Sequence, residues 1–345
     1  MNYKLKYRNE DFRVTEVPLM PTLSLRKQSG YTYLWVKKSD FTTFDVIGHL
    51  KVFFNLAFND INNQGLKDED AITEQLISVR KILSEKNIQA FNKKYHGRER
   101  FIKVQYIAGY GEKAVQERAL HGNVFEIVIR KLGKNSAKTV FNYLSKTRHQ
   151  YFLNYYDNQR FGMPGGPYTT HWIGKAIVES DWQKAYEYVR ATANQLPKKS
   201  TKPKSRSDFQ NVFRSMDPKK VSFFVSAYNS YLWNRDASLL VGKSTKSRKY
   251  LFPHVGSLNI PVDQFFFHRT FLKSKGYEFA ADDFSVRPGI NGRDVVIATK
   301  VYVKEIEKDE YHKGKMKIAV SFFLPTGSYA TMIVKQMLLR SSLKK

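Results

Sequence analysis

The chain has 345 residues, with 58 Lys and Arg against 31 Asp and Glu (net charge +27), and no cysteine. Zero cysteines exclude disulfides, thiolate nucleophiles and cysteine-ligated zinc or iron–sulfur centres. The cationic excess points to a polyanionic partner, nucleic acid first, with a lysine bias that merely solubilises the chain as the competing reading. An aromatic fraction of 14% excludes global disorder, and the length allows two cores. With no apolar run of membrane-spanning length and no secretory leader, a cytoplasmic protein without a membrane partner is expected.

In chain order, Phe12 and Val14 alternate with polar residues and predict a half-buried strand, and residues 30–37 predict a second. Thr42 and Thr43 are candidate caps for a helix over 44–58, whose Val46, Ile47, Leu50, Phe53, Phe54, Ala57 and Phe58 recur at helical spacing. Next comes Gly65-Leu66-Lys67-Asp68-Glu69-Asp70-Ala71-Ile72-Thr73-Glu74-Gln75, read as a glycine-permitted turn that presents a carboxylate beside cations, before a strand over 75–79. Taken alone, this stretch favours Asp68 as an ordinary turn or cap carboxylate. Residues 84–94 read as helix or loop, and 101–110 and 123–130 as strands. Asn135-Ser136 read as the cap of a helix to about 147. This alternation argues α+β or mixed α/β rather than a wound parallel sheet.

Residues 163–167, Met-Pro-Gly-Gly-Pro, break regular structure and suggest a domain boundary. Beyond it a helix is predicted over 180–195 with Ser180 as its cap, and a central helix over 221–234. Residues 250–304 read as strand-rich, 315–323 as a strand, and 330–339 as a last helix that Ser328 could cap, leaving an anion site at its free N–H groups. Lys198, Lys199, Lys202, Lys204 and Arg206 lie in a stretch without acids, the best candidate for phosphate contact. Lys243, Lys246, Arg248 and Lys249 form a second basic run. A solvated loop is the plain alternative for each.

The available chemistry narrows quickly. No His-Glu-x-x-His, no phosphate-binding Gly-x-x-x-x-Gly-Lys-Ser/Thr and no Gly-x-Ser-x-Gly is present. Asp68, Glu69 and Asp70 could hold Mg²⁺ in a nuclease-like site, against which Lys67 competes for the same charge. What is left is an aspartate among cations, kept ionised and able to act as nucleophile or base. Tyr155, Tyr156 and Tyr329 are aromatic surfaces for an extruded base.

Five motifs in order resemble those of the TruD family of tRNA pseudouridine synthases. They are Lys6 with Glu10-Asp11-Phe12, Val14 and Glu16; the whole of Gly65 to Gln75; Gly122-Asn123-Val124-Phe125 running to Arg130; Asn154 to Gly162; and Leu324 to Thr331. Ser226 to Asn234 adds a match in the second half. The resemblance implies the pseudouridine synthase fold, a mixed, largely antiparallel sheet flanked by helices. In that reading residues 1–166 and 305–345 form the catalytic domain and 167–304 an inserted RNA-clamping domain, with a basic cleft between them. It implies an isomerase, a tRNA pseudouridine(13) synthase acting in the D arm, without metal or other cofactor, with tRNA as partner and a monomer as the working state.

By the same resemblance Asp68 is catalytic, attacking the anomeric carbon or C6 of uracil or abstracting a ribose proton, three routes that the residues leave open. Lys6 keeps it ionised, Asn154 orients it or the base, Tyr156 packs on the target base, and Lys67 supports the loop. Gln159 and Arg160 shape the RNA-binding side. Two departures stand out: Tyr156-Asp157 replaces the family's Phe-Gly, with Asp157 expected to add negative charge near the RNA path, and Leu153 stands where a Pro is frequent. A non-catalytic RNA-binding or RNA-chaperone protein with the same fold is the alternative.

Overall fold

The computed structural model describes residues 1–24, 30–117, 119–146, 148–162, 167–191, 203–262 and 270–343. The chain divides into two compact units, one of Met1–Gln150, Thr299–Gly327 and Met337–Lys345, the other of Tyr151–Ala298 and Ser328–Gln336.

In chain order the first part contains β1 (Phe12–Pro18), β2 (Tyr31–Ser39), α1 (Thr43–Phe54), β3 (Ile61–Asn63), β4 (Ile72–Val79), α2 (Glu85–Lys94), β5 (Phe101–Gly111), β6 (Leu120–Leu132), α3 (Lys134–Lys146) and β7 (His149–Leu153). There follow α4 (Thr170–Val178), α5 (Trp182–Arg190), α6 (Arg206–Arg214), α7 (Pro218–Ser244), β8 (Ser247–Phe252), β9 (Gly256–Pro261), β10 (Phe271–Ala280) and β11 (Ser285–Asp294). The chain closes with β12 (Val296–Val303), β13 (Glu307–Lys308), β14 (Met316–Pro325) and α8 (Ala330–Leu343).

The first unit is built on a sheet in the order β5-β2-β4-β1-β6-β14, continued by β12. β1 and β4 pair in parallel, whereas β2–β5, β2–β4, β1–β6 and β6–β14 are antiparallel. The sheet is therefore mixed and largely antiparallel, as the family resemblance implies. Its core joins Leu34, Val36, Ile77, Val79, Ile102 and Val104 of the strands to Val46, Ile47, Leu50 and Phe54 of α1 and to Ile88 and Phe91 of α2. Burying each such side chain stabilises the fold by about 1.5–3 kcal/mol.

Thr42 caps α1: its hydroxyl accepts from Asp45 N–H, and the Asp45 carboxylate accepts from Thr42 N–H at 2.7 Å. The helix stops earlier than its apolar spacing suggests. Asn55 turns left-handed at φ 52, so Phe58 falls outside the stripe and is exposed. Residues 84–94 resolve into a helix because Ser84 and Asn87 close a capping box. Helix α3 starts at Lys134, with Ala137 N–H bonded to Gly133 O, so Asn135 and Ser136 lie in its first turn rather than at its cap.

In the second unit, Ile173, Ile177, Trp182, Ala185, Val189, Val212, Phe213, Val221 and Phe224 form one core from α4, α5, α6 and α7. Asp181, not Ser180, caps α5; Ser180 instead makes the left-handed turn after α4, at φ 56. Helix α7 runs 27 residues, well beyond the span read from its aromatics, from an Asp217 cap and Pro218 in its first turn. The ribbons β8–β9 and β10–β11 complete this unit. No helix among the described residues is long and apolar enough to cross a membrane.

Candidate active site

Asp68 lies on the loop from β3 to β4, and the loop is fastened from three sides. Lys67 N–H donates to Thr43 Oγ1 at the start of α1 (3.0 Å), and that hydroxyl donates to Gln75 Oε1 on β4 (3.0 Å). The Lys67 ammonium points inward to Glu16 Oε1 of β1 at 2.7 Å, and Glu16 Oε2 accepts from Leu76 N–H at 2.8 Å. Both side chains are nearly water-free, at 5% and 0% exposure. From β2, the wholly buried Lys38 reaches up to the Asp68 carbonyl at 2.6 Å and the Lys67 carbonyl at 3.4 Å. The chain bends at Gly65, but the bend does not demand glycine: its φ lies outside the left-handed range, and an added Cβ would meet Lys67 Nζ at an ordinary 3.7 Å.

The carboxylate itself is the exposed part, with the Asp68 side chain 41% accessible. Lys6 Nζ bonds Asp68 Oδ2 at 2.7 Å and Asp70 Oδ1 at 2.8 Å, and sits 4.6 Å above the Phe12 ring. Lys6 is held in a left-handed conformation (φ 51), which costs a non-glycine residue about 1–3 kcal/mol. The paired Lys4–Arg130 backbone bridge fixes the chain just before it. The pair with Asp68 is part-exposed and contributes little stability; what it supplies is a positive charge against the carboxylate. A divalent ion at Asp68 and Asp70 would have to displace this ammonium. Among the described residues, no group of three or more His, Asp and Glu side chains is placed to hold a metal.

Other motif positions turn out to be scaffold. Asp11 receives the Arg130 guanidinium at 2.7 Å in a buried cluster with Asp309, and the exposed Glu310 closes it from outside. Gly122 must be glycine, because a Cβ there would lie 2.1 Å from Leu324 O and 2.7 Å from the Phe323 ring. Its neighbour Asn123 carries a buried Oδ1 without a partner among the described residues.

The second unit gathers the Asn154–Gly162 motif. Asn154 is buried; its N–H donates to Val295 O (2.8 Å), its Nδ2 to Asp294 O (3.1 Å), and its Oδ1 accepts from Arg293. The Arg293 guanidinium also lies 4.1 Å from the Tyr156 ring and 4.9 Å from Trp233. Burial pushes the Tyr156 phenol up, but Arg293, by charge and hydrogen bond, and Asn291 outweigh it and hold the phenol below its ordinary value. The Tyr156 backbone is pinned on both sides by Asn234 of α7, at 2.8 and 2.9 Å. Tyr329 lies 5.7 Å from the Tyr156 ring, so these two aromatics come together. Tyr155 does not join them: it is 1% exposed, its hydroxyl donates to Asn259 O, and it is core.

Asp157 resolves differently from expectation. Its carboxylate is fully buried, takes Lys335 Nζ and Thr331 Oγ1 of α8 at 2.6 Å each, and caps the turn at Asn158 N–H. No negative charge is therefore presented by Asp157 to the outside. Arg160 is likewise engaged, bonded to Ser230 and Ser226 of α7 with its guanidinium over Phe223, whereas Gln159 is exposed. Ser328 makes no cap bond; the first helical bond of α8 runs from Ile333 N–H to Tyr329 O. Lys204 and Arg206 are exposed at the start of α6, and Lys198, Lys199 and Lys202 lie outside the described residues.

Sequence reasoning missed three groups: Lys38, Arg293 and the Asp157–Lys335 pair. Only Lys38 left a trace. In a strand whose alternate residues are core, one of two adjacent lysines must face inward.

The mixed sheet, the Asp68 loop and the Asn154 segment carry the motifs that resemble pseudouridine synthases, and the comparisons bear on that class. The family model for tRNA pseudouridine synthase D (TruD) matches residues 1–205, and the chain belongs to that family. The chain is 25% identical over 393 residues to tRNA pseudouridine synthase D of Aquifex aeolicus, covering 98% of each. It is 24% identical over 406 residues to the protein of the same name from Leptospira interrogans, covering 98% of this chain and 97% of that one. A Methanosarcina mazei TruD crystal structure superposes with a TM-score of 0.63 over 99% of this chain and 95% of that one, at 19% identity, a likeness of fold.

Proposed function

We propose that this protein isomerises a uridine of tRNA, the one at position 13 in the D arm, to pseudouridine, with Asp68 as the reacting carboxylate. The observation that carries the proposal is the construction of the Asp68 loop. A loop fastened by Thr43, Lys67, Glu16 and Lys38 presents the accessible Asp68 carboxylate against the Lys6 ammonium, which Asp70 shares. A carboxylate held in place and open to the outside is what a nucleophile or base requires.

In the isomerisation the N1–C1′ bond breaks, the uracil turns, C5 bonds to C1′, and the C5 proton leaves for N1. Atoms and charge balance, and neither metal nor cofactor is needed. Attack at C1′, attack at C6 and abstraction of a ribose proton all start from the same exposed carboxylate. Positioning is what the loop supplies.

Asn154 and Tyr156 take the orienting and packing roles in this reading. Tyr156, with the Arg293 guanidinium over its ring and Tyr329 tilted at 60° beside it, offers aromatic and cationic groups of the kind that pack on a base. Gln159, Lys198, Lys199, Lys202, Lys204 and Arg206 contribute to RNA binding, Arg160 indirectly through α7. The functional division, residues 1–166 with 305–345 as catalytic and 167–304 as an RNA-clamping insert, belongs to the same proposal, as do a monomeric state and a cytoplasmic location.

The test is conversion of an in vitro transcribed tRNA with uridine at position 13, read by primer extension across the carbodiimide adduct, in the presence of chelator. A stop at position 13 that vanishes in a cytidine-13 transcript is expected. Conversion at another position alone would move the substrate assignment, and shortened RNA would refute the isomerase.

A further inference from the structure

Lys38 belongs to none of the motifs, yet it is the most costly residue near the loop. Its side chain leaves β2 for the interior, with no accessible surface, between the cross-strand neighbours Thr73 on β4 and Ile102 on β5. Among the described residues no carboxylate neutralises it by contact. Its partners are two main-chain oxygens, the carbonyls of Asp68 at 2.6 Å and Lys67 at 3.4 Å, and the opposing Thr73 hydroxyl is buried without a partner among the described residues.

A buried ammonium bonded to carbonyls is poor stabilising design, since desolvation of the charge outweighs the bonds it makes. Burial drives the Lys38 ammonium down to about 8, with the Asp68 charge pulling the other way. The linkage sign follows. Between about 8 and the ordinary value of 10.5 the unfolded chain holds a proton that the folded chain lacks, so the charged Lys38 works against folding at neutral pH. An apolar residue would serve the fold as well or better. The geometry shows what the ammonium does instead. It grips the carbonyl of the very residue whose carboxylate faces Lys6.

We propose that Lys38 is a positioning residue for Asp68: its buried ammonium holds the Lys67 and Asp68 carbonyls and so sets where the Asp68 carboxylate stands, at the expense of stability. The inference rests on the catalytic reading of Asp68 above. Its structural half stands without that reading.

The experiment compares wild type, Lys38→Met and Lys38→Arg by three measurements: urea unfolding at pH 7, amide hydrogen exchange over residues 65–72, and single-turnover and steady-state conversion of tRNA. Lys38→Met is expected to unfold at the same or a higher urea concentration than wild type. It is also expected to exchange faster at the loop, and to lose kcat on the order of 10²-fold, the scale of a misplacement near 1 Å. KM for tRNA should move less than about twofold, because no RNA contact is removed. Lys38→Arg, still cationic, is expected to recover part of kcat.

A purely structural Lys38 would give the opposite pattern, lower stability with kcat following the folded fraction, and would overturn the proposal. Unchanged loop exchange in Lys38→Met would overturn it whatever the activity. Should wild type convert no tRNA while loop exchange still responds to Lys38→Met, the functional reading fails and the clamp survives. If Lys38→Met does not fold, the stability half is refuted outright, and Lys38→Arg is left to report on the clamp.

Discussion

Removing Lys67 should damage the fold far more than a lysine next to an active-site aspartate normally would. Glu16 and Lys67 meet at 2.7 Å with 0% and 5% of their side chains accessible, so Lys67→Met strands a carboxylate that keeps only Leu76 N–H. Breaking a buried pair from one side costs about 3–5 kcal/mol, chiefly through the charge left behind. For a cooperative unit of 150–250 residues each kcal/mol moves Tm by about 2–4 °C, so a fall of roughly 6–20 °C is expected. The double variant Glu16→Gln/Lys67→Met removes both charges, while its amide oxygen can still accept from Leu76. It should recover about 1–3 kcal/mol, the coupling typical of contacting residues. Scanning calorimetry with urea unfolding followed by tryptophan fluorescence gives all three values. A loss below about 1 kcal/mol for Lys67→Met, the behaviour of an exposed pair, would refute the reasoning.

Other outcomes follow from the same geometry. Asp157→Gly strands the Lys335 ammonium and removes the Thr331 contact and the Asn158 cap, so urea unfolding should show a loss of about 3–5 kcal/mol; a neutral result would mean that the buried carboxylate is idle. Gly122→Ala places a methyl against Leu324 O and should cost at least about 1–3 kcal/mol by the same measurement. His171 is buried, its ring among Phe161, Trp172 and Tyr231, and burial lowers its pKa to about 4 from 6.5. Between those values the unfolded chain binds a proton that the folded chain does not. Stability should therefore be full above pH 6.5 and fall by about 3 kcal/mol toward pH 4; the pH dependence of urea midpoints for wild type and His171→Phe should differ by that amount. RNA affinity should drop with added salt as cations leave the phosphates, checked by filter binding between low and moderate salt.

How much the sequence disclosed depended on whether the cause was local. Thr42 and Asp45 cap α1 through neighbours three residues apart, and the apolar spacing of Val46, Ile47, Leu50 and Phe54 marks its buried face, so that helix was legible except at its end. The end was set by Asn55 adopting a left-handed turn, which its sequence neighbours did not announce. The Asp68 loop was legible as a motif, but the fastening was not. Thr43, Glu16 and Lys38 come from three separate elements, and a lysine on a strand is ordinarily read as solvated. Asp157 shows the same limit: its partner Lys335 is 178 residues away, so the residue that looked like a charge on the RNA side is a buried anchor.

The central claim is that Asp68 reacts while the rest of the protein holds RNA and carboxylate in place. It is tested most directly by Asp68→Asn beside wild type, measuring tRNA binding and single-turnover conversion on the same preparations. The account predicts conversion by wild type, none by Asp68→Asn, and tRNA affinities within about twofold, since an exposed carboxylate facing RNA contributes no attraction. Conversion by Asp68→Asn at a rate near that of wild type would contradict it.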